Sequence, residues 1–255
     1  MNRIKNKLSE NNKLLSIYYT AGFPQLQDTV PILESLQQNG VDMVEIGLPF
    51  SDPIADGPTI QQSSAAALQN GMTTTVLFDQ LKDIRKTVSI PLILMGYFNP
   101  VLQYGVEEFC KKCNEIGIDG LILPDLPLEE YTLHYRPIFE KYMLSNIFLV
   151  TPQTPLARIK EIDSISNTFI YLVSSAGTTG TTRDISEAQQ VYFKRISAMK
   201  LSKPVIVGFG IKDKASFNEA TKHTHGAIIG SAFIKMLATK GLRGVTEFIT
   251  ALRKV

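Results

Sequence analysis

A (β/α)8 TIM barrel is the fold this chain predicts, on three observations. About eight short apolar or β-branched runs recur along it, helix-like stretches fill the intervals, and its 255 residues suit one such barrel. The runs are apolar throughout rather than alternating, as expected where both faces of a parallel strand are buried. Repeated strand–helix alternation implies right-handed crossovers, and eight units in this length close more naturally than they spread as an open sheet.

The first dozen residues predict a short helix, with Ile4 and Leu8 on one face, that plugs the bottom of the barrel. Strands are expected at 14–20, 41–46, 92–97, 120–124, 147–150, 169–173, 204–207 and 227–229. Helical periodicity marks 29–39, 76–88, 106–116, 156–165, 185–199 and 215–221, and Gly or Pro stands at nearly every junction. The second and third strands are nearly twice as far apart as their fellows. The excess forms an enlarged second βα-loop carrying Asp52, Asp56 and a further helical stretch at 59–69. Because βα-loops build barrel active sites, that loop is a functional candidate. No linker, repeat or change of composition divides the chain, so one barrel domain over 1–255 is expected.

Hydrophobic residues make up 44% and charged residues 20%, an ordinary globular balance, and the formal net charge is +2. The lysines are scattered, which argues against a nucleic-acid surface. No apolar run approaches membrane-spanning length and the N-terminus lacks a signal-peptide pattern, so a cytoplasmic protein is expected. Cys110 and Cys113 spell CxxC, which invites a redox or zinc reading. They share helical spacing with Val106, Phe109 and Ile116, and no second ligand pair accompanies them. Core cysteines are the better reading, with no metal expected.

Glu45 stands between Val44 and Ile46 at the end of an apolar strand. A carboxyl there is costly unless it is paired, protonated or in use. Pointing inward with Val41 and Met43, it would have a pKa raised towards neutrality and could both accept and return a proton. The plain alternative is a strand-end glutamate that reaches solvent, as Asp42 is expected to do from the strand's beginning. Asp56 could share the proton chemistry, or it could simply make a turn before Gly57. Three Gly-bearing turns, 174–180, 208–211 and 230–233, follow late strands. The last two stand where barrels bind phosphate through loop N–H groups and a helix N-terminus. With no GxxxxGK[ST] sequence, the cradle suits a small phosphorylated substrate rather than a nucleotide. The three histidines lie away from strand C-terminal ends and lysine is absent from strand interiors, which disfavours histidine catalysis and a Schiff base. Tyr97 and Tyr171 could line a pocket or merely pack within the barrel.

The run Glu45-Ile-Gly-Leu-Pro-Phe-Ser-Asp-Pro-Ile-Ala-Asp56-Gly-Pro-Thr-Ile-Gln61 closely resembles the signature of the tryptophan synthase α subunit family. The likeness extends to Tyr19–Pro24, Met95–Pro100, Pro124–Glu130, Ser174–Gly180, Gly208–Ile211 and Gly230–Ala232. It implies a lyase that splits indole-3-glycerol phosphate into indole and glyceraldehyde 3-phosphate. Carried over by position, Glu45 would move protons between the glycerol hydroxyl and indole C3, and Asp56 would hold the indole N–H. Gly180, Gly210, Gly230 and Ser231 would bind phosphate with Phe209 alongside. Tyr171 would support the glycerol end, while Tyr18, Met95, Tyr97 and Ile122 enclose the indole. Residues 174–183 look like the family's mobile lid, with Thr179 meeting Asp56 on closure. Ser175 and Thr178 depart from the Arg and Val that many relatives carry there.

The same resemblance implies no cofactor on this chain, and a pyridoxal-phosphate β subunit as partner in an α2β2 assembly. Its interface would fall on Pro49, Asp52, Asn99, Pro100 and Tyr104, with an exposed Pro100-Val-Leu102 patch. Alternatives are another phosphosugar barrel, a stand-alone indole-releasing lyase, or a weakly active subunit that mainly activates its β partner.

Overall fold

The computed structural model describes residues 2–10, 13–173, 187–208 and 210–253. Nine strands form among them: β1 Leu14–Thr20, β2 Met43–Gly47, β3 Leu92–Met95, β4 Gly120–Ile122, β5 Ser145–Asn146, β6 Leu149–Val150, β7 Ile170–Val173, β8 Val205–Gly208 and β9 Gly226–Ile229. All pairings are parallel, in the order β5-β4-β3-β2-β1-β9-β8-β7-β6. The two ends of that order, β5 and β6, are separated by Ile147 and Phe148 alone. The Ile147 N–H donates to the Leu121 carbonyl at 2.9 Å, and the Phe148 carbonyl accepts from Tyr171 N–H at 2.9 Å. Residues 145–150 are thus one barrel strand shared between two neighbours, and they close the eight-membered ring. The sequence placed this strand at 147–150; it begins two residues earlier and changes partner halfway.

Helices cover the outside: α1 Arg3–Leu8, α2 Thr29–Gln38, α3 Pro58–Gln69, α4 Thr74–Leu81, α5 Phe98–Tyr104, α6 Val106–Ile116, α7 Leu128–Glu130, α8 Arg136–Lys141, α9 Leu156–Ile165, α10 Glu187–Ala198, α11 Lys214–Thr221, α12 Ser231–Lys240 and α13 Val245–Arg253. A π turn, Tyr131–Tyr135, joins α7 to α8. The expected third strand, 92–97, is shortened, and Gly96 and Tyr97 lead into α5 instead. That strand stops at Met95, and Pro100 fits within the helix's first turn, where no N–H is required. Cys110 and Cys113 lie fully buried on the inner face of α6, the core role their spacing predicts.

Strand alternation sorts the apolar residues into two layers. Ile4, Leu14, Met43, Ile93, Ile122, Ile147, Phe169, Tyr171, Ile206 and Ile228 fill the barrel. Leu15, Ile17, Val44, Ile46, Leu92 and Leu94 face the helices. Val41 belongs to this outer layer, contrary to expectation, because β2 begins only at Met43. Helix α1 does plug the bottom. Ile4 enters the barrel, and the Asn2 side chain accepts from the N–H groups of Ile4 and Lys5 while donating to Ser145 Oγ at 3.0 Å. Arg3 and Arg85 converge on buried Asp119 at 2.9 and 2.7 Å. Asp42 is tied down rather than free in solvent. It accepts from Leu15 N–H at 2.9 Å, and pairs with Lys7 on α1 and Arg253 on α13.

Candidate active site

Glu45 lies on β2 between Met43 and Gly47 on the inward face, and it is fully buried. The solvent-reaching alternative is excluded. Burial in this apolar ring pushes its carboxyl up to about 8, and a hydrogen bond from Ser16 pulls slightly the other way. The Ser16 hydroxyl donates to Oε1 at 3.5 Å, whereas Oε2 has no partner among the described residues. Neutral at pH 7, this carboxyl is an acid that becomes a base once its proton has gone.

Asp56 stands on the enlarged loop, half-buried, and the loop is held at several points. Gln61 on α3 donates through Nε2 to the carbonyls of Asp56 at 2.9 Å and Pro53 at 3.3 Å. Ser63, two residues further on, shares a 2.7 Å hydroxyl bond with Thr20 at the end of β1. Tyr97, just before α5, accepts from Ala55 N–H at 3.0 Å, donates to Asp56 Oδ2 at 3.4 Å and stacks on Phe50 with centroids 4.9 Å apart. Asp125 fixes the base of that arm by accepting from Phe98 N–H at 2.9 Å. Burial raises the Asp56 carboxyl to about 6 against the Tyr97 hydrogen bond, which lowers it. Tyr97 itself rises to about 12 through burial and the Asp56 charge. Ser16, Gln61, Ser63 and Thr20 were missed in the sequence, where small polar residues in a strand or helix carry no signal of their partners.

A cavity of about 370 Å³ opens beside Asp56 and Tyr97, and Glu45 is not among the residues that line it. Tyr18, Leu48, Phe50, Asp56, Met95 and Tyr97 line it, with Leu149, Thr151, Gln153 and Val173 opposite. Three of the four residues expected around the indole, Tyr18, Met95 and Tyr97, therefore meet in one place. The fourth, Ile122, is buried in the barrel interior and outside that lining. Burial, and after it the Asp56 charge, push the Tyr18 phenol above its usual range against a hydrogen bond with Thr20, and Tyr18 is the register partner of Glu45. It stands over Gly47, where an added Cβ would fall 2.2 Å from its hydroxyl oxygen. Tyr171 stands likewise over Gly208, at 1.9 Å. Gly47→Ala should therefore drive the Tyr18 ring into the cavity and raise KM for substrate about tenfold or more. Steady-state kinetics would show it, and an unchanged KM would mean that the ring moves without consequence.

Among the residues expected to bind phosphate, Gly210 adopts φ +78° after β8. Gly230 precedes α12 and abuts the Tyr18 ring, at 3.3 Å from Cδ1 to the position of an added Cβ. Ser231 begins α12, and among the described residues no side-chain cap bond is made at that N-terminus. The expected phosphate and lid residues Thr179, Gly180 and Phe209 lie outside the described residues, as do Ser175 and Thr178. Near the expected interface, Asp52 and Asn99 are exposed and Pro49 is half-buried. The Pro100-Val-Leu102 patch is corrected. Within α5 Val101 is fully buried and Pro100 half-buried, leaving Leu102 exposed. Tyr104 packs edge-on against Phe78 at 5.4 Å and Phe109 at 5.9 Å.

Fold and site together define a parallel (β/α)8 barrel with a fully buried carboxyl inside it and a second carboxyl on the enlarged loop over the C-terminal mouth. A family model described as "Tryptophan synthase alpha chain" matches residues 4–253. Tryptophan synthase alpha chains of Flavobacterium psychrophilum and Flavobacterium johnsoniae are 61% and 62% identical, each over 99% of this chain and 100% of the relative. A solved tryptophan synthase subunit alpha from Legionella pneumophila superposes with a TM-score of 0.89 at 32% identity, over 100% of this chain and 98% of that one. A tryptophan synthase from Mycobacterium tuberculosis gives 0.87 at 31%, covering 98% and 95%. The chain belongs to the tryptophan synthase alpha chain family.

Proposed function

We propose that Glu45 and Asp56 divide the retro-aldol chemistry of this chain, acting within its one barrel domain. The chain is a lyase of tryptophan synthesis that cleaves indole-3-glycerol phosphate to indole and glyceraldehyde 3-phosphate. The C–C bond to the ring cannot break until the ring can receive its electrons, so indole C3 is protonated first. Glu45, neutral at pH 7, gives that proton. Asp56, ionised, holds the ring N–H while positive charge develops there. The Glu45 carboxylate then takes the proton of the glycerol hydroxyl, the C–C bond breaks, and the bonding electrons restore the indole. The proton lost to C3 equals the one regained, so the enzyme ends as it began.

One observation carries this reading: a fully buried carboxyl, one oxygen of which has no partner among the described residues, in the apolar barrel interior and in register with Tyr18, which lines the cavity that Asp56 borders. Gly210, Gly230, Ser231 and the α12 N-terminus, with Gly180 and Phe209, hold the phosphate and so anchor the substrate away from the reacting bond. Tyr171 supports the glycerol end, and Tyr18, Met95, Tyr97 and Ile122 bound the indole. Thr179 meets Asp56 when 174–183 closes.

Membership of an alpha-chain family implies a β subunit as partner. We place it over Pro49, Asp52, Asn99, Pro100 and Tyr104, in an α2β2 assembly whose pyridoxal phosphate belongs to the β subunit, with no cofactor on this chain. Ile54, 85% exposed on the same loop as Asp52, supports a covered surface there. Among the described residues no helix is long and apolar enough to cross a membrane; a cytoplasmic site of action is our inference.

The division of labour has a pH signature. Asp56 must be ionised, so kcat/KM rises through about pH 6; Glu45 must be protonated, so it falls through about pH 8. Indole release measured from pH 5 to 9.5, with and without the β subunit, should give this bell. A rate that climbs through pH 8 would reverse the order of proton transfers.

A further inference from the structure

We propose that Ser16 is a positioning residue for Glu45: its hydroxyl holds Oε1, leaving Oε2 as the oxygen that exchanges protons with substrate. This inference rests on the proton-transfer reading of Glu45 given above.

Ser16 is a polar residue in an apolar setting. It lies on the inward face of β1 between Leu14 and Tyr18, fully buried, and its register partners are Met43 on β2 and Ile228 on β9. A hydroxyl placed there is costly unless it is hydrogen-bonded. Among the described residues its partner is Oε1 of Glu45 at 3.5 Å. The contact is at the long limit for a hydrogen bond, as befits a neutral carboxyl, and would tighten once the group is ionised. The two oxygens of Glu45 are thereby made unequal, since Oε2 is buried without a partner among the described residues. A carboxyl free to rotate would present either oxygen; one tethered at Oε1 presents Oε2.

Among the described residues, the titratable groups that face Glu45 are the phenols of Tyr18 on β1 and Tyr171 on β7, both pushed up chiefly by burial and so neutral. Ile93 on β3, Met43 on β2 and Ile228 on β9 add apolar walls. Ser16 is thus the donor that favours the ionised form of Glu45. It steadies the carboxylate in the interval between giving one proton and taking the next.

Ser16→Ala and Ser16→Thr, assayed for indole release across pH in the complex with the β subunit, test this. Ser16→Ala should fold normally and lower kcat about tenfold with KM held within about twofold. Its basic limb should move to higher pH, because loss of the donor favours the neutral carboxyl. Ser16→Thr, which keeps the hydroxyl, should restore both. A Ser16→Ala enzyme with wild-type rate and limb overturns the proposal, as does a slower enzyme whose limb stays in place, which would indicate packing alone. Failure of threonine to restore rate and limb also counts against it. Glu45→Gln run in parallel separates the two levels. If it keeps wild-type activity, the reading of Glu45 itself has failed; if it is inactive while Ser16→Ala is normal, only Ser16 has.

Discussion

Glu45→Gln should release indole from indole-3-glycerol phosphate about 10³-fold or more slowly than wild type, with its fold and its association with the β subunit retained. The amide fills the same space but neither gives nor takes a proton at neutral pH, so both transfers are lost together. Loss of an interaction made only in the transition state lowers kcat and kcat/KM alike, and substrate binding should change little. Asp56, the cavity and the loops after β8 and β9 are untouched, which leaves positioning to supply whatever rate remains. An enzyme retaining wild-type kcat would remove Glu45 from the chemistry.

The same substitution should change how stability depends on pH, and in the opposite sense from its effect on activity. Glu45 titrates near 4.5 when exposed and at about 8 when folded. Below pH 4.5 both states are neutral and burial carries no ionisation penalty. As pH rises from 4.5 towards 8 the unfolded chain releases a proton that the folded chain keeps, so stability is lost across that window. The loss is complete above pH 8 and on the order of 5 kcal/mol, at about 1.4 kcal/mol for each unit. Glutamine has no such titration. Urea unfolding at pH 5 and pH 8.5 should therefore show wild type losing several kcal/mol more than Glu45→Gln. Parallel losses would mean that Glu45 is not held neutral by the fold.

The acid itself was legible because an isolated carboxyl inside an apolar strand violates its own pattern, and the structure buries it completely. The enlarged second loop was legible too, from spacing alone. Partners were not. Ser16 and Glu45 meet because β1 and β2 pair with Ser16 opposite Met43 and Tyr18 opposite Glu45, and a register between strands is written in neither strand by itself. Gly47 read as part of a motif, but the reason for it is the Tyr18 ring on the neighbouring strand. Tyr97 was read as the end of a strand, although its hydroxyl reaches Ala55 and Asp56 because α5 starts immediately after it. Asp56 before glycine could have been only a turn. Its raised carboxyl depends on a loop pinned by Gln61 and Ser63, which the local pattern does not record. The split fifth strand was hidden for a similar reason: its two halves answer to different neighbours, β4 and β7.

The account turns on one carboxyl that is neutral at rest. Its direct test is a carbon-13 NMR titration of protein labelled at the glutamate side-chain carboxyls, with the Glu45 resonance assigned by its absence in Glu45→Gln. A midpoint near pH 8 is the predicted result. A midpoint below about 5, the range of an ordinary exposed glutamate, would contradict the account.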